Sequence, residues 1–149
     1  MKVKKLIFKV SMMVMMVFAA VGYNAKIAGA TNATDTPWDF YLSVSDTSDR
    51  TTPYRSKQDY SKVYFNWQSK SGVYSLRVMV EGTTGNGVYA NCTNGRTFYT
   101  VTYTGQYSLS NLVKENGYSY ARLRMRSNNG TGTVSGLWSP DSTVTFPSP

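Results

Sequence analysis

The run Tyr118-Ser119-Tyr120-Ala121-Arg122-Leu123-Arg124-Met125-Arg126 alternates without a break. Ala121, Leu123 and Met125 fall on one side; Tyr120, Arg122, Arg124 and Arg126 fall on the other. Successive strand side chains point to opposite faces, so this pattern predicts a half-buried β-strand with a cationic outer face. The same period recurs on the N-terminal side. Trp38, Phe40, Leu42 and Val44 share one face, as do Val63, Phe65 and Trp67 within 62–68. Tyr74, Leu76, Val78 and Val80 do so within 73–81, opposite Ser75, Arg77 and Glu81. Residues 97–104 are aromatic and β-branched, and 134–146 offers a last extended segment broken by Pro140.

Turn signals separate these runs. Ser71-Gly72 predicts a hairpin between the second and third strands. Gly82, Gly85 and Gly87 mark another turn, and Ser127-Asn128-Asn129-Gly130-Thr131-Gly132 a third. Only Ser110 to Gly117 reads as helical, a single turn stopped by Asn116-Gly117. The expected fold is all-β, an antiparallel β-sandwich of six or seven short strands.

The first thirty residues read as a helical signal peptide. Lys2, Lys4 and Lys5 form a positive start, Val10 to Val21 is nearly all apolar, and Ala28-Gly29-Ala30 supplies small residues for cleavage. Ala20-Val21-Gly22 is a second cleavage option. The apolar run falls short of the ~20 residues a membrane span needs. Residues 31–37 are small and polar and predict a flexible N-terminal tail, leaving 38–149 as a single β-sandwich domain. The expected location is therefore extracellular, with no transmembrane span once the leader is cut.

The leader also carries five of the sixteen basic residues and none of the eight acidic ones. Residues 31–149 hold 11 basic and 8 acidic residues, a net charge of +3. That is an ordinary solubility charge and gives no argument for a nucleic-acid partner. Cys92 is the single cysteine, so no intramolecular disulfide forms. It reads as a small buried hydrophobe. An exported domain without disulfides fits a Gram-positive bacterial protein better than a small animal one.

The absence of histidine removes Ser-His and Cys-His catalysis and the commonest zinc ligand. No metal or cofactor and no catalytic residue is expected. A glycosidase would need two carboxylates about 5–10 Å apart. Glu81, Glu115 and Asp141 are the candidates for it, and the spacing does not bring any two together. Asp46-Thr47-Ser48-Asp49 reads as a turn before it reads as a calcium loop.

The arginines of 122–126 are the sharpest constellation. Adjacent like charges on a strand repel unless something separates them. Trp138 could do so by cation–π stacking if residues 134–139 pair beside 120–126. Alternatively Tyr120, Arg122, Arg124, Arg126 and Trp138 form an exposed face that grips an anionic partner, with Arg55 and Lys57 added from the loop after Pro53. A cell-wall polymer, an anionic lipid surface or another secreted protein would suit that face.

Two resemblances accompany these readings. Tyr118 through Phe146, with its three alternating arginines, Gly-rich turn and Leu137-Trp138-Ser139-Pro140, resembles the last hairpin of a fibronectin type III-like domain. More broadly, the chain is similar to a family of small secreted Gram-positive proteins, from bacilli and clostridia, classed as a domain of unknown function. The matching elements are Tyr54-Arg55-Ser56-Lys57, Ser61-Lys62-Val63-Tyr64, Asn111 through Glu115 to Gly117-Tyr118, and Ser135 through Trp138-Ser139-Pro140-Asp141-Ser142. This resemblance implies secretion and a small β-domain, and brings no catalytic residues. The leading expectation is a secreted, non-catalytic binding module at the bacterial surface. A bacteriocin-like toxin is the second, although no amphipathic helix is visible for membrane insertion. A small glycan hydrolase is the third.

Overall fold

The computed structural model describes residues 32–149. The expected signal peptide over 1–30 lies outside the described residues. Eight strands form one antiparallel sheet. They are β1 (Thr36–Leu42), β2 (Arg50–Thr51), β3 (Arg55–Ser56), β4 (Val63–Thr83), β5 (Ala90–Asn91), β6 (Tyr99–Val101), β7 (Gly105–Leu109) and β8 (Tyr120–Ser139).

Two long strands are the frame. β4 pairs with β8 from Tyr64↔Ser139 to Thr83↔Tyr120. On the far side of β8, β1 covers the C-terminal half and β2 and β3 the N-terminal half. On the far side of β4, β7 covers the first half and β6 and β5 the second. The sheet stays open, with no pairing between β1 and the strands beyond β4.

The strand lengths differ from the sequence expectation. Residues 62–68 and 73–81 are one 21-residue strand, not two strands joined at Ser71-Gly72. Likewise 127–132 lies inside the 20-residue β8, so Tyr118–Phe146 forms no hairpin of the fibronectin type III kind. The glycines bend the sheet instead of reversing it. Four register shifts cluster between Trp67 and Leu76, where Gly72 at φ 77° turns its carbonyl toward Gly130 at φ 90°, the register partner of Val73. A Cβ on Gly130 would overlap the Gly72 carbonyl oxygen. Only glycine permits that approach in that conformation.

The bend folds the sheet over its own apolar face. Val63, Phe65, Trp67, Val134 and Trp138 from one half join Leu76, Val78, Val80, Ala121, Leu123 and Met125 from the other in a single core. All are essentially without solvent contact, and each large apolar side chain among them contributes ~1.5–3 kcal/mol by burial. Trp38 stacks on Phe65 with ring centroids 5.4 Å apart and closes one end. The Tyr99 hydroxyl donates to the Ser110 carbonyl at 2.8 Å, linking β6 in one half to the end of β7 in the other.

Local departures have the same origin. The slip at Ser75/Leu76 turns Tyr74 outward, where it is exposed, and Val73 inward. Val44 lies past the end of β1 and is exposed. The tail expected over 31–37 is shorter, because Thr36 and Pro37 already pair with Trp138 and Leu137. The segment read as helical forms a hydrogen-bonded turn and no helix. Asn116 N–H donates to Leu112, Gly117 N–H to Lys114 and Tyr118 N–H to Val113, with Gly117 at φ 78°. Paired bonds of this kind are the Schellman ending that glycine makes possible.

Candidate functional site

The outward face of β4 and β8 gathers the charge. Strand alternation places Arg122, Arg124 and Arg126 beside Glu81, Met79 and Arg77 respectively in the cross-strand register. Inward residues Leu123 and Met125 anchor the strand, so the arginines can only project outward.

Carboxylates, not a tryptophan, separate these arginines. Glu81 accepts from Arg122 Nε at 2.7 Å and from Arg124 Nη1 at 3.2 Å. Asp49 accepts from Arg124 Nε and, at 2.5 Å, from Arg126 Nε. Arg126 also donates to the Thr47 carbonyl at 2.7 Å. Both carboxylates are 5% exposed, shielded beneath guanidinium groups that are 20–39% exposed. Burial pulls the Arg124 guanidinium down, and hydrogen bonds to Glu81 and Asp49 more than offset this, so its pKa rises. Asp49 reaches this site because the Asp46 turn presents it. Asp46 accepts from Ser48 N–H at 2.8 Å, as an Asx turn does.

Trp138 cannot serve as the expected ring. It lies on the same strand as the arginines, on the opposite face and at 0% exposure. Its stacking partner is Arg55, at 5.9 Å, which also donates to the Thr34 carbonyl and to Asn32. Partial burial lowers the Arg55 pKa. Lys57 is buried too, paired with Asp141 at 2.9 Å. Arg55, Lys57 and Trp138 therefore tie the start of the described chain and the 138–141 segment to the loop after Pro53, and Lys57 and Trp138 cannot belong to a contact face. The ring over Arg122 is Tyr89, 3.3 Å from the guanidinium carbon. Tyr54 lies edge-on to Tyr120 at 5.3 Å, extending an aromatic margin beside Arg122.

Arg77 is the residue that the sequence does not single out. Its guanidinium stacks on Phe98 at 4.7 Å and its Nε donates to Asn128 at 2.7 Å. No carboxylate pairs with it among the described residues. The face thus holds four guanidinium groups, Arg77, Arg122, Arg124 and Arg126, against two carboxylates. Arg77, Met79, Phe98, Arg124, Arg126 and Asp49 line a pocket of about 190 Å³ there. The outward period of 73–81 is the signal that could have found Arg77. A second depression of about 200 Å³, over Asp35, Tyr64 and Phe146, has no such excess of charge.

The carboxylates weighed for glycan hydrolysis are occupied or apart. Glu81 lies within the arginine ladder, and Asp141 is fully enclosed with Lys57. Glu115 is exposed on the turn after β7. No group of three or more His, Cys, Asp or Glu side chains among the described residues is arranged to hold a metal. Cys92 is buried against Gly82, and burial pushes its thiol above the ordinary range. No described helix is long and apolar enough to cross a membrane.

A disulfide-free β-domain with an ion-paired, arginine-rich outer face is the class these observations define. The chain belongs to a family described as a protein of unknown function, DUF2712, whose model matches residues 24–142. No curated protein matches it. No solved structure matches it either.

Proposed function

We propose that this is a secreted, non-catalytic binding module that engages an anionic polymer at the surface of a Gram-positive cell. The carrying observation is the excess of two guanidinium groups around the Arg77–Arg124–Arg126 pocket. Arginine forks match carboxylate and phosphate oxygens, and Phe98 and Met79 give an apolar floor for the backbone of such a polymer. The neighbouring Tyr54, Tyr89 and Tyr120 widen the contact area. Secretion is supported by the charged start, apolar run and small-residue site of residues 1–30.

Co-sedimentation with purified Gram-positive cell walls tests the reading. The protein should pellet with the walls, and binding should weaken as salt rises toward 1 M, where screening reaches ~3 Å. Arg77→Gln breaks no ion pair and loses only the Phe98 stack and the Asn128 hydrogen bond, so it should lower retention several-fold at a cost of about 1 kcal/mol in urea denaturation. Retention equal to wild type in Arg77→Gln/Arg126→Gln would remove this face as the site. Killing of an indicator strain by the protein would instead favour a toxin.

A further inference from the structure

Lys57 and Asp141 lie 84 positions apart in the chain, yet both side chains are fully enclosed against one another. Lys57 Nζ stands 2.9 Å from Asp141 Oδ1 and also donates to the carbonyls of Ser61 at 2.7 Å and Pro140 at 2.8 Å. These contacts fix the nitrogen in one place. The Asp141 carboxylate is fixed as well, because its Oδ2 accepts from Gln58 N–H at 3.0 Å. An amine and a carboxyl group held in direct contact at this distance are two reactants with their orientational entropy already lost.

A third group completes the arrangement. Asp59 presents Oδ1 3.8 Å from the same nitrogen, and its side chain is 42% exposed. Its N–H points at Asp141 Oδ1 at 3.5 Å. Burial raises the Asp59 pKa, and bonds from Ser61, Asp141 and the Lys57 charge lower it further than that, leaving it below its ordinary value. Asp59 is therefore a charged carboxylate between the enclosed pair and the solvent. No role in the arginine face needs this triad. An ion pair buried this completely also carries a desolvation cost that a neutral amide would not.

We propose that Lys57 and Asp141 become joined by an intramolecular isopeptide bond, with Asp59 carrying a proton between them. Lys57 first passes a proton to Asp141 Oδ1 across their 2.9 Å contact, leaving a neutral amine beside a neutral carboxylic acid. The Nζ lone pair then forms a bond to Asp141 Cγ, and the nitrogen of the adduct becomes acidic enough to give a proton to Asp59. Asp59 hands that proton to the Cγ hydroxyl, the Cγ–O bond breaks, and the oxygen leaves as water with the two protons released by the nitrogen. One ammonium and one carboxylate give one amide and one water. No oxidant, reductant or co-reactant enters. The exposed edge of Asp59 gives the water its way out.

Denaturing intact-mass spectrometry of the purified full chain tests this. Wild type should weigh one water less than its sequence requires, and a protease digest should contain a branched peptide joining the Lys57 and Asp141 segments, stable to reductant. Lys57→Arg should show the full mass. Asp59→Asn keeps both partners and should show the full mass or a much slower loss of water, with its circular dichroism unchanged. Wild type at full mass with no branched peptide would overturn the proposal. A water lost equally in Lys57→Arg would overturn it too, by placing the loss in a cyclic imide elsewhere. Asp59→Asn cross-linked at the wild-type rate would remove Asp59 as the proton carrier.

Discussion

Glu81 shows how one side chain can decide the character of a surface. It is 5% exposed and bridges two arginines, so it converts part of a repulsive ladder into a closed network. Glu81→Ala leaves Arg122 and Arg124 without it. We expect a loss of about 1–3 kcal/mol in urea denaturation, below the fully buried figure because both arginines keep solvent contact. Asp49, 75 positions from Arg124, is invisible as a partner in the sequence because a turn aspartate carries no signal of what lies across space. The alternation of 120–126 does identify the arginines and their face. It does not show that two of their charges are compensated, or that Trp138 faces the other way. Cys92 reads as a small buried hydrophobe only by its residue type, since nothing in the sequence fixes its exposure, and the structure buries it. A thiol reagent at pH 8 should leave it unmodified in the native protein and react fully in denaturant.

At the level of elements, the long bent strands explain where the sequence is clear and where it misleads. Val63, Phe65 and Trp67, then Leu76, Val78 and Val80, point inward as their period requires. The joint between them reads as a turn because Ser71-Gly72 and Asn128 to Gly132 have turn composition. A sharp sheet bend needs the same residues for the same reason, a backbone at positive φ and chains in close approach. Sequence alone does not separate reversal from bending. Gly130→Ala therefore tests the bend directly. Its Cβ would overlap the Gly72 oxygen and meet the Tyr74 ring at 2.9 Å, in a conformation that alanine adopts poorly. A cost of about 2–4 kcal/mol is expected in the unfolding free energy. Gly87→Ala is the control. Gly87 also has positive φ but open space around it, so only the smaller backbone cost applies.

For the molecule as a whole, stability should form a plateau against pH with two different shoulders. Burial pushes Cys92, Tyr64, Tyr99 and Tyr107 up. The folded state holds those protons more tightly, so their contribution is complete below their ordinary pKa values and is lost as pH rises through the folded ones. Asp59 and Asp46 are pushed down, so their contribution is complete above the ordinary carboxylate range and is lost as pH falls. Urea midpoints should be flat from about pH 5 to 8 and decline on both sides. A midpoint that rises above about pH 10 would contradict the burial of these groups. Pairing of β1 with β8 also has a mechanical consequence. Thr36, near where the described chain enters the sheet, pairs with Trp138, close to where β8 leaves it. The last residues run beside β7, with Ser108 N–H donating to the Pro147 carbonyl. A load applied between residue 32 and the C-terminus would therefore open β1 like a zipper, one rung at a time from Thr36 toward Leu42, with no set of rungs sheared together. Such a domain yields early at its margins, and its resistance to pulling is set by whatever fastens Lys57 to Asp141.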